Sequence, residues 1–335
     1  LIKRILLTGP IFNTSSGPSG MGGLLYTKLK EDGYIVFKKS AFRNILLRYM
    51  DTLMAVLFLK YDVLFIQGFA LRAFYLESVI CKIGNVRGKK VIYTIRGGAF
   101  PEFYQKNIKW CTSVFKSIDT IVTPSLYIQA FLASKNHKVE YIPNFIDLSN
   151  FPFHWKYSGN QKLLWVRSFH DIYKPELAIK AVSLLKQKYP NIHLTMVGPD
   201  QGKLAESKLL IQSLQLESNI TITGPIANNK LNSYYCSHSI FITTTSFESF
   251  GVALMEAASS GIPMVSTSVG EIPYLWSHNE NCLLVEDNNE QEFAAAIDTL
   301  FTDNVLQLKL SDAARKKAEQ YTWDIIKKQW KTILQ

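Results

Sequence analysis

Short apolar runs rich in Val, Ile and Leu alternate along this chain with longer stretches of helical periodicity, and that rhythm restricts the fold more than anything else. In the first half the runs cover 3–8, 34–38, 62–67, 90–95, 119–123 and 138–142, with helical stretches over 22–31, 44–60, 70–82, 104–117 and 125–134 between them. The second half repeats the pattern at 162–167, 192–197, 219–223, 239–244, 263–267 and 282–285, with helix from 289 onward. Continuous apolar strands separated by helices form parallel sheets covered on both faces. The segment Leu148–Gln161, with Pro152 and Gly159, lacks periodicity and divides the halves. The expectation is an α/β protein of two doubly wound domains joined by that linker. Ligands then bind at the carboxyl ends of the strands, in the cleft between the domains.

Composition agrees with two ordinary cores: 335 residues, 47% hydrophobic and 19% charged, with no low-complexity tract. The four cysteines, Cys81, Cys111, Cys236 and Cys282, lie far apart and read as thiols of a reducing compartment rather than a zinc site. The N-terminal Lys3-Arg4-Ile5-Leu6-Leu7 run reads as a first strand rather than a signal segment. Lys60 and Asp62 interrupt the longest membrane-span candidate, so a cytoplasmic location is expected. Residues 1–150 carry 20 Lys and Arg against 9 Asp and Glu, whereas the remainder carries 17 against 18. The whole positive excess therefore lies in the first half, which suits anionic lipid, nucleic acid or an acidic substrate, or merely solubilises the protein. Helix 44–60 is basic and strongly apolar, with Arg43 and Arg48 beside Leu46, Leu47, Met50, Leu53, Met54, Leu57 and Phe58. Such a helix can lie on a membrane interface, but packing of most of it on its own sheet is the expectation.

The chemistry concentrates in Phe247-Glu248-Ser249-Phe250-Gly251-Val252-Ala253-Leu254-Met255-Glu256, a strand end, a tight turn and an apolar helix. Glu256 falls in the second turn of that helix. A buried carboxylate is costly unless a cation or polar ligand groups meet it. Glu248 lies at the mouth of the turn, and Gly251 lets a ligand approach the backbone, where the first helical N–H groups suit an anion.

Further pieces fall at strand ends. Arg167 closes 162–167 and Lys174 follows it; two such cations can clamp a diphosphate, or form a surface pair that caps a helix. Gly198 and Gly224 lie at strand-to-loop exits, and the backbone near Ile226 can meet a flat base, although each exit alone is an ordinary turn. Gly17, Gly20, Gly22 and Gly23 follow the first strand and suggest a mobile loop, with Gly22-Gly23 opening a helix where a phosphate or sugar comes close. Arg96-Gly97 ends another strand. Asp-x-Asp is absent and the histidines lack ligand spacing, so no catalytic metal is expected.

Taken together these pieces resemble the retaining glycosyltransferases of family 4, which have the GT-B fold of two Rossmann-like domains. The likeness rests on Glu248-Ser249-Phe250-Gly251 with Glu256-Ala257, Gly261-Ile262-Pro263, Gly270-Glu271-Ile272-Pro273, Asn281-Cys282-Leu283-Leu284-Val285 and Pro143-Asn144 before Asp147, with Gly22-Gly23 and the closing Tyr321-Thr322-Trp323-Asp324. It implies an acceptor-binding domain over 1–150, a donor-binding domain over 151–320, and a final helix, 321–335, packed back on the first. It implies a cofactor-free hexosyltransferase taking a UDP-, GDP- or ADP-sugar, with Glu256 on the ribose and Glu248 on the sugar. Phe250, Gly251 and Val252 then offer backbone donors, and Arg167 and Lys174 hold the leaving diphosphate. The acceptor is a glycan or lipid-linked sugar in cell-surface polysaccharide or glycolipid synthesis, not a nucleic acid. Two departures stand out: Arg96-Gly97 replaces the family's common His-Gly, and Lys174 precedes Pro175 and lies further than usual from Arg167. A degenerate nucleotide-sugar-binding partner subunit and a sugar-nucleotide epimerase on the same fold remain alternatives.

Overall fold

The computed structural model describes residues 3–9, 11, 13–14, 17–18, 20–39, 42, 44–68, 73–153 and 159–335, the side chains of 13, 14, 17, 18 and 45 excepted. The chain divides into two compact units, Leu1–Asn144 with Ile326–Gln335, and Phe145–Ile325.

The strands of the first unit are β1 (Arg4–Thr8), β2 (Asn13–Thr14), β3 (Gly17–Pro18), β4 (Ile35–Lys38), β5 (Val63–Gly68), β6 (Lys90–Ile95), β7 (Thr120–Thr123) and β8 (Glu140–Tyr141). A parallel sheet runs in the order β4-β1-β5-β6-β7-β8, and β2 pairs with β3 as a separate hairpin. Alternate residues of each strand point to opposite faces. Leu6, Leu64, Ile66, Val91, Tyr93 and Ile95 pack on one face with Phe74, Phe100, Cys111 and Ile128. On the other, Phe65 lies 5.1 Å from the ring of Trp330.

The second unit contains β9 (Lys162–Val166), β10 (His193–Val197), β11 (Ile220–Gly224), β12 (Ile240–Thr243), β13 (Met264–Thr267) and β14 (Leu283–Val285), in the sheet order β11-β10-β9-β12-β13-β14. Leu163, Trp165, Ile240, Ile242 and Val265 face a core completed by Val182, Phe293 and Ile297. Leu164, Phe241 and Met264 face the other, with Tyr235, Leu254, Ala257 and Trp276. In each sheet the chain winds outward one way and then returns to wind the other. The reversal falls between β1 and β5 in the first unit, and between β9 and β12 in the second, where loops diverge and leave room for a ligand.

Several expectations need correction. Leu148–Gln161 is not the junction: the division falls at Asn144/Phe145, and Phe151 is buried in the second unit's core. The returning segment begins at Ile326 rather than at 321. The stretch 104–117 is two helices, Phe100–Lys106 and Ile108–Phe115, because the Asn107 amide donates to the Phe103 carbonyl at 2.9 Å and breaks the ladder. The glycine-rich stretch is not one loop: Gly17 is in β3, while Gly20, Gly22 and Gly23 lie in the helix Gly20–Glu31. The start of the 70–82 helix lies outside the described residues, which resume with the helix Ala73–Val86. Most of the apolar surface of helix Ile45–Phe58 does not pack on the sheet. Thr52, Ala55 and Val56 are buried, but Leu46, Leu47, Met50, Met54, Leu57 and Phe58 are between 38% and 71% exposed. Arg43, expected beside them, lies outside the described residues. No helix among the described residues is long and apolar enough to cross a membrane.

Candidate active site

In the second unit the reversal point of the sheet carries the residues singled out in the sequence. The run Ile240–Thr245, β-branched except for Phe241, forms β12 and its exit, and the next helix, Val252–Ser260, starts after Gly251. Gly251 has φ 84°, a left-handed conformation that glycine adopts without strain, and no side chain caps the helix. Its first N–H groups therefore have no internal acceptor. Gly261, at φ 83°, ends the helix, its N–H donating to the carbonyls of Ala257 and Ala258.

Glu248 is fixed from two sides. Its Oε1 accepts the amides of Ser249 at 3.0 Å and Phe250 at 3.3 Å, and its Oε2 accepts Arg167 Nη2 at 2.7 Å. Arg167 leaves the end of β9, and both side chains are nearly buried, 10% and 13% exposed. A desolvated, hydrogen-bonded ion pair is far more orienting than a surface one. The guanidinium also lies 5.4 Å from the Tyr173 ring, and its Nε has no partner among the described residues. Behind Glu248, Gly270 permits close packing: a Cβ there would sit 2.3 Å from the Glu248 carbonyl oxygen. That same carbonyl accepts the Glu271 amide at 2.9 Å.

The β9 and β12 exits are stitched together. Thr244 Oγ1 donates to the carbonyls of Tyr173 and Lys174, Trp165 Nε1 donates to Thr244 Oγ1, and the Ser246 amide reaches the Ile172 carbonyl at 2.6 Å. Gly198, at the end of β10, abuts β9 so tightly that a Cβ would lie 1.8 Å from the Arg167 carbonyl oxygen. Its amide reaches the Gly224 carbonyl at 3.0 Å, so Gly224, Gly198, Arg167 and Glu248 line adjacent strand ends. Ile226, just beyond, packs against the core cluster that includes Tyr235 and Leu254.

Among the described residues neither a Lys nor an Arg bonds the Glu256 carboxylate. Tyr235, from the helix Asn228–Ser237, donates its hydroxyl to Glu256 Oε2 at 2.9 Å. The residue keeps partial exposure but is otherwise surrounded by protein. Burial raises its pKa to about 7, against the lowering effects of the Tyr235 hydrogen bond and the Arg167 charge. No described residue donates to its other carboxylate oxygen. Tyr235 itself is held protonated, its pKa pushed well up by burial and by the Glu256 charge.

Two expectations shift. The Phe250 amide is turned onto Glu248 rather than outward, and the helix that follows starts with the exposed Val252. Lys174 sits at φ 42° before the helix Pro175–Leu185, and its ammonium is held by Asp287 at 2.6 Å and Asn288 at 2.6 Å. Tyr235 and Asp287 were missed, since no sequence pattern links either to its partner.

In the first unit, Gly22 and Gly23 lie in the first turn of helix Gly20–Glu31, and a Cβ on Gly22 would lie 3.4 Å from Gln67 Oε1. Arg96 follows β6 and Gly97 follows it; Arg96 Nη1 donates to Asn144 Oδ1 at 2.6 Å. These residues belong to the first unit and Arg167, Glu248 and Glu256 to the second.

Sequence comparison matches 168 residues of this chain at 26% identity to a D-inositol 3-phosphate glycosyltransferase of Pseudarthrobacter chlorophenolicus, covering 49% of this chain and 40% of that protein. An uncharacterized glycosyltransferase of Haemophilus influenzae is 31% identical over 158 residues, 47% of this chain and 44% of that one. The chain thus spans less than half the length of these relatives. The fold is that of sucrose-phosphate synthase from Thermosynechococcus elongatus, with TM-score 0.80, 16% identity and coverage of 99% and 98%. It is also that of Anabaena HepE, solved with UDP and glucose, with TM-score 0.78, 18% identity and 99% coverage of both chains. These neighbours fix the architecture as GT-B. The profile described as Glycosyl transferases group 1 matches residues 149–317, just over half of the chain and the stretch that carries Arg167, Glu248 and Glu256, so the chain belongs to that family.

Proposed function

We propose that the protein is a retaining, metal-independent glycosyltransferase whose second unit holds a nucleotide-sugar donor and whose first unit receives the acceptor. The observation that carries this is the arrangement at the β9/β12 reversal: an oriented Arg167–Glu248 pair beside Glu256, a carboxylate with an oxygen no described residue serves. A ribose hydroxyl pair supplies the missing donors to Glu256. The uncapped start of helix Val252–Ser260 and Arg167 face the diphosphate. As the bond from sugar C1 to the diphosphate oxygen breaks, the electron pair leaves with the diphosphate. Arg167 stabilises that charge, while Glu248, locked by its three donors, positions the sugar. The acceptor hydroxyl attacks the face the leaving group vacates and gives its proton to the departing diphosphate oxygen, which gives retention. Lys174 joins the diphosphate by releasing Asp287 and Asn288, or acts only through the pair it makes with them.

The acceptor is a glycan or lipid-linked sugar at a membrane surface. Supporting this is the exposed stripe Leu46, Leu47, Met50, Met54, Leu57 and Phe58 on a unit whose sequence carries the whole positive excess, a combination suited to anionic bilayers. Such a protein works as a peripheral enzyme on the cytoplasmic face. Arg96, where the family commonly has a histidine, favours a second reading, a nucleotide-sugar-binding partner subunit without turnover.

Thermal shift against UDP, GDP, ADP and their sugars identifies the donor, with UDP-glucose first because it is held by HepE. Release of nucleoside diphosphate that Glu248→Gln abolishes supports the enzyme; tight donor binding with no release for any acceptor supports the partner subunit. Sedimentation with anionic vesicles, lost when Leu46, Met50 and Phe58 become Glu, tests the membrane contact.

A further inference from the structure

Arg96 is a guanidinium with no counter-charge among the described residues. Its Nη1 goes to the neutral amide oxygen of Asn144, its Nε is buried without a partner, and no carboxylate pairs with it among the described residues. Burial alone lowers its pKa, to about 10, so it stays charged at neutral pH. A partly buried cation left without a carboxylate calls for an anion.

The residues around it are also unsatisfied. In the β5–β6 register Gln67 stands opposite Thr94 and Gly68 opposite Ile95, and the Arg96 amide extends the ladder to the Gly68 carbonyl. Gln67 and Thr94 are thus side by side, and strand alternation puts Arg96 on their face. Among the described residues, Gln67, 2% exposed, has an Nε2 without a partner, and Thr94, 1% exposed, has a hydroxyl without one. The start of helix Gly20–Glu31 lies against one of them: a Cβ on Gly22 would sit 3.4 Å from Gln67 Oε1. Three donors without acceptors thus sit on neighbouring strand ends, with a glycine-built helix start against one of them, and such donors suit an oxyanion.

We infer that Arg96, Gln67 and Thr94, with Asn144 orienting the guanidinium, bind a phosphate group carried by the acceptor. The assignment of this group to the acceptor rests on the proposed transferase function; the site itself does not. The arginine in place of the family's common histidine then selects phosphorylated acceptors instead of neutral ones.

Calorimetric titration of the whole protein with inorganic phosphate tests this, with and without saturating UDP. One phosphate site should survive UDP and weaken at least tenfold in Arg96→Gln. Asn144→Asp keeps the fold testable: its carboxylate would occupy Arg96, raising the melting temperature while weakening phosphate at least tenfold. A merely structural Arg96 predicts the stability gain with unchanged phosphate affinity, and that result overturns the proposal. So does the absence of a saturable site, or its displacement by UDP. Failure of UDP itself to bind defeats the donor reading and is read separately from the phosphate isotherm. Glucose 6-phosphate and dihexanoyl phosphatidic acid, each competed against inorganic phosphate, distinguish a phosphorylated sugar from a lipid phosphate; failure of both to compete overturns the acceptor assignment.

Discussion

Glu256→Gln should stabilise the ligand-free protein at alkaline pH and fail to do so at acidic pH. The carboxyl titrates near 7 in the folded chain against an ordinary 4.5. At about 1.4 kcal/mol per unit, the ionised side chain costs about 3 kcal/mol once pH exceeds 7. The sign follows from proton counting. Between pH 4.5 and 7 the folded state holds the proton that the unfolded chain has released, so stability falls as pH rises through this window. Below it the penalty is absent. The glutamine removes the penalty but weakens the hydrogen bond from Tyr235, worth about 1 kcal/mol. The net expectation is a gain of about 2 kcal/mol at pH 8.5 and a loss of about 1 kcal/mol at pH 4.5. Urea unfolding of both proteins at the two pH values, following the transition of the second unit, measures it. Equal differences at both would refute the assignment of a protonated, desolvated carboxyl. The same group sets ligand affinity: if only its ionised form accepts ribose hydroxyls, UDP binding strengthens about tenfold from pH 6 to 8 in the wild type beyond any change seen in the variant.

Tyr235→Phe removes the hydrogen bond that favours the ionised form, so the pH midpoint of Glu256-dependent UDP binding should move up by about one unit, read from affinities across pH 6–9. Arg167→Met should lower nucleoside-diphosphate release by on the order of 10²–10³ with a smaller effect on donor affinity, measured under single-turnover conditions. Gly198→Ala places a Cβ into the Arg167 carbonyl, and a loss of more than about 3 kcal/mol in unfolding free energy is expected; a neutral effect would show that β9 and β10 separate easily.

The two sheets were legible because parallel strands buried on both faces are written as unbroken apolar runs, such as Leu163–Val166 and Ile240–Thr243. The loaded turn was legible too, since Gly251, Gly261 and Gly270 mark where backbone geometry leaves little alternative. What stayed hidden depends on direction. Helix Ile45–Phe58 is apolar nearly all round, so periodicity could not say that Leu46, Met50 and Phe58 would face outward. Tyr235 and Asp287 reach their partners across 21 and 113 residues of chain, through packing that no local pattern encodes. The break at Asn107 turned on one side-chain amide competing with the helix, a choice settled by its surroundings.

Trp330 and Leu334, from the last helix, are buried in the first unit, with Trp330 against Phe65 of its central strands. On the ribosome, then, the N-terminal sheet emerges long before the side chains that cover it, with the entire second unit synthesised in between. That face must wait, greasy and incomplete, so holdase chaperones and the rate at which 145–335 is translated should govern yield. Stop codons placed just before position 326 should produce aggregates from the half of the protein farthest from the lesion.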